Sequence, residues 1–516
     1  MVRNIFSNWV GLLVLAASTA VLTPMMIHHL GALDYGVWVL AGSVLDYYGL
    51  LDIGMRSAMF RYVGLFRGSD VREEVDRTFT SALFIVMVTA VLILFLSIGM
   101  AYFLPRSMPL QDASPREFSW LLLLLGFSIG ITFPTRMLAT YISAHQRWDL
   151  FNAAGIASVI TRAIAIIIAL KLGYGILAVA IAALVVAFLS LGQHILFVRV
   201  ADPRVHVSLH LISVKRIKEL FSFSLRSLLV SVGDYLRFYS DSAVIAAVLN
   251  VALITPFSVA TRLIECFKSV IVAAGGPVFG SMTELDGGRR DDESREMLLM
   301  STRLLALLSI LGGVLLLVDG RALLRLWVGP ELVWAYPILA ILAAGYMINL
   351  ALHPMLLIVV AKGKHGALGV WTIAEGAVNI GLSILLGRSY GLLGIAVGTV
   401  VPMLAIKLII QPFYALRAAD MSVWVFLRRG LARPLIVGPL FLLAARTIAI
   451  RTTPTFPLFS ASVLAQVIIF FAMTWILGLT KAEHEWLRKD MRRRLLRFIP
   501  HDRRIIAPPR PEADLP

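Results

Sequence analysis

A single cysteine, Cys266, occurs in 516 residues. That excludes an intramolecular disulfide and any cysteine-based metal centre. It lies in an apolar stretch and reads as packing. Charge is scarce: charged residues make up 15% of the chain against about 25% in soluble domains, and hydrophobic residues 59% against roughly 45–50%. A water-soluble chain of this make-up would expose large apolar patches and aggregate. Metal-ligand spacing is missing too, because His28-His29 and His353-Pro354 have no partners at the required intervals. No Gly-rich phosphate loop with its lysine occurs, which argues against ATP-driven work within this chain. Neither a catalytic constellation nor a cofactor site can be read.

What is present is a series of apolar runs of about 20 residues, the length a helix needs to cross a bilayer core. The ten-residue alternation of transmembrane β-barrels is absent. The fold class is an all-α polytopic membrane protein with fourteen spans. The first six are predicted at Trp9–Ile27, Tyr35–Met55, Thr78–Leu104, Ser119–Ile142, Phe151–Leu170 and Tyr174–Val198. The next six follow at Leu220–Leu249, Val251–Phe279, Leu298–Val318, Ala335–Val360, Ala367–Leu386 and Leu392–Phe413, and the last pair at Pro434–Ile450 and Leu458–Leu479. Ala16-Ala17-Ser18-Thr19-Ala20 looks like a signal-peptide cleavage region, but the apolar run continues to Met26, so the first span reads as retained.

A net charge of +16 would suggest nucleic acid in a soluble protein. Here the basic residues gather in alternate loops, and topology accounts for them. About thirty Lys/Arg fall in Arg56–Arg77, Arg199–Glu219, Ser281–Met297, Lys362–Lys364, Arg417–Arg433 and the tail, against about seven on the other side. Both termini are expected in the cytoplasm.

Leu172-Gly173-Tyr174-Gly175-Ile176 returns as Ser389-Tyr390-Gly391-Leu392-Leu393-Gly394 when Tyr174 is laid on Tyr390. That shift of 216 residues also lays the sixth span on the twelfth and Asn8 on Ser224. Six spans is an even number, so the halves enter the membrane from the same side, as parallel repeats do. The expected organisation is an N-terminal six-helix lobe over 1–200, a second over 218–415, two extra helices over 434–479 and a basic cytoplasmic tail over 480–516. In that tail Trp486, Leu487, Met491, Leu495 and Phe498 recur at helical spacing among arginines, the pattern of an interfacial helix.

Leu30-Gly31-Ala32-Leu33-Asp34-Tyr35-Gly36-Val37-Trp38, then Leu51-Asp52-Ile53-Gly54 and Arg61-Tyr62, strongly resemble the early region of polysaccharide-repeat (Wzx-type) flippases. Those belong to the multidrug/oligosaccharidyl-lipid/polysaccharide exporter superfamily. Leu326-Trp327-Val328-Gly329-Pro330 and Tyr390-Gly391-Leu392-Leu393-Gly394 continue the resemblance to about Phe413. It implies two six-helix lobes around a cavity lined by helices one, two, seven and eight. It also implies movement of undecaprenyl-diphosphate-linked oligosaccharide to the outer leaflet, in the company of a polysaccharide polymerase and glycosyltransferases. Asp291-Asp292-Glu293 and the tail lie outside the pattern.

A charge at mid-bilayer costs about 3 kcal/mol and usually faces a cavity or partner. Arg136, Arg226, Arg303 and Arg446 lie near span ends and can snorkel. Asp46, Arg162, Asp234, Arg237, Arg262, Glu265 and Glu375 lie deeper. At about 100° per residue, Arg226, Asp234, Arg237 and Asp241 share one face of the seventh span. Thr255, Ser258, Arg262, Glu265 and Ser269 share one on the eighth, and Thr372, Glu375, Asn379 and Ser383 one on the eleventh. Two readings stand: internal pairing of Asp234 with Arg237 and of Arg262 with Glu265, or a part in transport. In the second, Arg162, Arg237 and Arg262 would hold a diphosphate through their planar forks. Asp46, Asp234, Asp241, Glu265 and Glu375 would then be candidates for a coupling proton or sodium ion. The expected function is a lipid-linked oligosaccharide flippase rather than an enzyme. A drug/cation antiporter of the same superfamily is the runner-up. A membrane polysaccharide polymerase or ligase is disfavoured by outer connections of only about 16 residues.

Overall fold

The computed structural model describes residues 2–52, 72–108, 113–288, 290–363, 366–449, 455–481 and 483–485, with isolated positions 55, 56, 59, 62, 63 and 110. Side chains of 2–10, 12, 222–231, 234, 237, 238 and 366–368 fall outside that description. No strand occurs among the described residues. Eleven helical stretches there are long and apolar enough to cross a membrane. Two of them, Leu13–Asp52 and Gly369–Ala418, are each folded into two helices at a glycine, and a polar-striped helix adds one more. The total is the fourteen expected.

In chain order these are α1 (2–30), α2 (32–46), α3 (Arg72–Ser107), α4 (Pro115–Ala144), α5 (Trp148–Lys171), α6 (Ile176–Ala201) and α7 (Val214–Val248). They continue with α8 (Ile254–Gly287), α9 (Asp291–Trp327), α10 (Tyr336–Ala351, prolonged after Leu352 by His353–Ala361), α11 (366–390) and α12 (392–418). Then come α13 (Val423–Ile448) and α14 (Phe456–Gly478). The expected connection His28–Asp34 shrinks to one residue, Gly31, whose φ of 80° and ψ of 171° suit only glycine. Gly391, at φ 60°, makes the corresponding break between α11 and α12.

The basic loop expected over Ser281–Met297 is mostly helix. Its acidic run Asp291-Asp292-Glu293 forms the first turn of α9, where the helix dipole favours negative charge. Arg290 pairs with Glu293, and Lys362 bridges Asp286 and Asp291. These helices therefore run on past the hydrocarbon layer, which hydropathy cannot see.

Packing partners recur six helices on: α3 lies on α4 as α9 lies on α10, and α4 on α6 as α10 on α12. Small residues allow the close approaches. A Cβ on Gly313 would stand 2.7 Å from the Met347 side chain, and one on Gly345 2.6 Å from Val400. α13 and α14 pack outside on α9 through Val437, Phe441, Phe470, Leu307 and Val314.

The buried cores are distributed unevenly along the membrane normal. At the loop-poor end one core runs through both halves, joining Leu110, Phe118 and Ile176 to Val251, Leu332 and Ala335. At the basic end, among the described residues, there are two. One gathers Met59, Phe79, Tyr141, Val198 and Leu220, and the other Met282, Leu298, Met355, Ile358 and Phe426. The halves share one core at the loop-poor end and, apart from the start of α7 at Leu220, have separate cores at the other.

Candidate functional site: a charged cavity between the halves

The α1–α2 corner positions the site. Past Gly31, the Thr255 hydroxyl donates to the Ala32 carbonyl. A Cβ on Gly36 would meet the Val251 carbonyl oxygen at 2.5 Å, so only glycine lets α2 lie on the start of α8. Held there, α2 turns Trp38, Gly42 and Asp46, one turn apart each, toward a cavity between the halves. α7 contributes Tyr239 and Ser242, and Ser43 bonds Ser242 across the junction at 3.0 Å. α8 contributes Ser258, Arg262 and Glu265, the stripe expected from helical spacing. About 130 Å³ of this cavity is open to water centres, room for on the order of ten waters.

A second space of about 320 Å³ adjoins it, sharing Trp38 and Arg262. Its walls are α1 (Leu15, Ser18, Leu22), Tyr35 and, from α5, Arg162. Two of the three arginines expected to meet a diphosphate thus line one space. Arg262 pairs with Glu265 at 3.0 Å, as the spacing predicted, yet the two side chains remain 42% and 52% exposed. Glu265 and the neighbouring Tyr35 hold Arg262 while part of its side chain stays open to a ligand. Arg136, read as lying near a span end, sits on α4. α4 runs to Ala144, so Arg136 lies eight residues inside it, about 12 Å from the end. It is exposed, within electrostatic reach of Arg162 and Asp46. Arg162 and Arg262 line the second space and, among the described residues, no carboxylate does, so it is cationic and favours an anion.

Asp241 is placed differently. It is buried, and Thr399 of α12 reaches both its carboxylate oxygens at 3.2 and 3.3 Å. The same hydroxyl lies 3.1 Å from the Ile395 carbonyl and 3.4 Å from Asn379 Oδ1. Ser383 also donates to Asn379 Oδ1, at 2.9 Å. Asn379, Ser383 and Glu375, the predicted α11 stripe, are all buried. The Thr399 and Ser383 hydroxyls thus gather oxygens of Asp241, Asn379 and Ile395 around one point. An oxygen-rich donor set of this kind suits a hard cation. The Asp234 and Arg237 side chains lie outside the described residues. The α7 backbone beside them passes so near α11 that a Cβ on Gly233 would be 2.8 Å from the Thr372 carbonyl carbon.

The family profile described as "Polysaccharide biosynthesis protein" matches residues 25–317, more than half of the chain. The chain belongs to this family. It is 21% identical over 447 residues to "Uncharacterized membrane protein EpsK" of Bacillus subtilis (strain 168), covering 85% of this chain and 86% of that one. Among solved structures it is similar to "Lipid II flippase MurJ, inward closed conformation" (TM-score 0.70, 15% identity, 92% of this chain and 98% of the other). It is also similar to an inward-facing multidrug resistance MATE family transporter of the MOP superfamily (TM-score 0.67, 14% identity, 78% and 95%). At such identities the likeness shows the fold. Family and fold together agree with the resemblance read from the motifs: a polysaccharide biosynthesis family on a fold shared with a solved flippase and a solved transporter.

Elsewhere in this polysaccharide biosynthesis family chain, two sequence expectations shift. Arg303 does not snorkel; it is buried against Glu483 and the Arg429 carbonyl, tying the end of α14 to α9. Cys266 is exposed rather than packed. The tail helix expected after Trp486 lies outside the described residues, as does Arg61 of the Arg61-Tyr62 pair. A cluster that the sequence did not signal staples the connection after α6 to the first half. Arg72 and the Tyr141 hydroxyl both donate to Asp202, at 2.9 and 2.6 Å. Burial presses Asp202 toward its neutral form, but those two hydrogen bonds outweigh it and hold the carboxyl below its ordinary range.

Proposed function

We propose that this protein flips undecaprenyl-diphosphate-linked oligosaccharide repeat units across the bacterial cytoplasmic membrane by alternating access. The observation that carries this reading is the convergence of Arg162 and Arg262 on one space beside α1, with Arg136 in reach. Such a substrate has a diphosphate and sugars that cannot cross hydrocarbon, and a lipid tail that need not leave it. A cationic cleft walled on one side by the apolar helix α1 meets both demands. Arginine supplies the planar fork that binds phosphate oxygens in pairs. The moving units in this reading are the lobes 1–200 and 218–415, with 434–479 as an outer pair and 480–516 as a cytoplasmic tail. A shared core at one end of the bundle and largely separate cores at the other support a state open toward the basic, cytoplasmic side. Asp241 with Thr399, Asn379 and the Ile395 carbonyl serves as the coupling-cation site, and Glu375 lies one turn from Asn379. Glycosyltransferases supply the substrate and a polymerase consumes it.

Arg162→Ala or Arg262→Ala should stop surface polymer and accumulate lipid-linked repeat units on the cytoplasmic leaflet, with membrane abundance near normal. Lysine should rescue only partly, keeping charge and losing the fork. Should Arg262 serve only as the partner of Glu265, the Arg262→Ala/Glu265→Ala double variant would transport normally. That result would remove Arg262 from the binding role. Normal polymer with lost drug resistance in a deletion strain would point to the antiporter.

A further inference from the structure

The two adjoining spaces differ in chemistry, and the difference has a direction. The α1/α5 side holds Arg162, with Arg136 nearby. The α2/α7 side carries Lys268 where the α1/α5 side has Arg162, and it alone adds Tyr239 and the carboxylate of Glu265 to the Trp38 ring and the hydroxyls of Ser43, Ser258 and Thr261. Asp46 supplies a carboxylate there. Arg262 and Trp38 stand on the border.

Tyr239 is held in place. Its ring stacks on Tyr235 with centroids 5.1 Å apart and planes at 26°, and Tyr47 meets it edge-on at 6.4 Å. Tyr235 is seated in turn by Gly49, where a Cβ would stand 1.7 Å from the tyrosine hydroxyl oxygen. Two tyrosines and one glycine thus fix one ring that remains partly open to the cavity. The Tyr239 hydroxyl is in electrostatic reach of Asp46, Glu265 and Arg262. A ring so braced costs little to order when a ligand arrives.

A pyranose asks for this combination. Its C–H face is apolar and lies flat on an aromatic ring. Its rim of hydroxyls donates to carboxylates and exchanges hydrogen bonds with serine and threonine hydroxyls. It has no need of a guanidinium, whereas the diphosphate bonded to its anomeric carbon does. The border position of Arg262 puts the two chemistries at neighbouring points.

We propose that Tyr239 and Trp38 form the platform for the diphosphate-linked sugar, with Asp46 accepting from its hydroxyls, so that the cavity selects sugar-bearing prenyl diphosphates over bare ones. This rests on the flippase reading above and assigns the sugar end of the substrate to the α2/α7 side.

Binding to the purified full-length protein in nanodiscs tests it with two probes. One is farnesyl diphosphate, which has the diphosphate and no sugar. The other is the lipid-linked oligosaccharide extracted from cells in which the gene is deleted. Tyr239→Ala and Trp38→Ala should each weaken oligosaccharide binding about tenfold, the scale of one lost aromatic contact, and leave farnesyl diphosphate binding unchanged. Tyr239→Phe keeps the ring and should stay within about twofold of the parent on both probes. Arg162→Ala should weaken both. The platform is overturned if the alanine variants bind oligosaccharide as the parent does, or lose both probes equally. It is also overturned if Tyr239→Phe behaves like Tyr239→Ala. Undiminished farnesyl diphosphate binding by Arg162→Ala is a separate outcome, and it removes the flippase reading instead.

Discussion

Asp241 and Asp46 are both carboxylates, and the structure gives them different work. Both line the cavity between the halves, Asp46 with Arg262 and Asp241 at a buried edge among oxygens of α11 and α12. If Asp241 anchors a coupling cation, Asp241→Asn should abolish cation-driven transport, because the neutral amide removes the charge that attracts the ion. As a mere hydrogen-bond partner of Thr399, asparagine would serve equally well through its own oxygen. Transport assayed in vesicles against an imposed sodium or proton gradient separates the cases, and a loss of at least about tenfold is expected. Unchanged transport would discard the cation role. The candidates Arg162, Arg262, Asp46, Asp241, Glu265 and Glu375 were legible because polar residues at helical spacing on an apolar helix must turn away from lipid. Arg136 reads as a span-end arginine, and its nearness to Arg162 and Asp46 joins three different helices, which has no local signature. The Tyr235–Tyr239 stack was equally hidden, since tyrosines in an apolar span read as ordinary packing.

Helix α1 contains Pro24, which has no N–H to give the Ala20 carbonyl four residues back. That orphaned oxygen is taken by the Trp327 indole N–H at 2.8 Å, reaching across from the end of α9. One half of the molecule thus completes a helix of the other at a level where their cores are joined. The sequence displayed Trp327 in Leu326-Trp327-Val328-Gly329-Pro330 and Pro24 in the first span, but a bond over 307 residues has no local signature. Trp327→Phe keeps an aromatic ring and removes the donor. One hydrogen bond contributes about 1 kcal/mol, so the balance should move about fivefold away from the state closed at the loop-poor end. The lone native cysteine makes this measurable. In a Cys266→Ser background, a cysteine at cavity-lining Val39 should react faster with an impermeant maleimide applied from the side opposite the basic loops. Equal rates with and without the Trp327→Phe substitution would deny the indole any part in closing that end.

At the scale of the whole molecule the decisive asymmetry is electrostatic. Arg72, Arg216, Arg290, Arg295, Arg303, Lys362, Arg428, Arg429 and Arg433 all belong to one end of the bundle. Their partners Glu74, Asp202, Glu219, Glu293, Glu296 and Asp420 lie there with them. Acidic residues scarcely influence insertion, so the surplus of arginine and lysine should hold this end in the cytoplasm. Fourteen crossings then return the chain to the side from which it started, and both termini share the basic end. Leu104 lies near the loop-poor end of α3, while Leu479 follows α14 at the basic end. Alkaline phosphatase fused after Leu104 should therefore be active, and after Leu479 inactive. A fluorescent protein that matures only in the cytoplasm should give the reverse. The arginine-rich stretch after Leu479 makes the second fusion the more demanding, because that stretch must itself remain inside for the orientation to hold. Matching signals from the two sites would mean an odd number of helices between Leu479 and the start of the chain, or one span that does not cross. Were the missing crossing to lie before α5, Arg162 and Arg262 would face the opposite leaflet and the direction of transport would have to be reversed. Were it to lie after α8, only the helices beyond it would be misplaced.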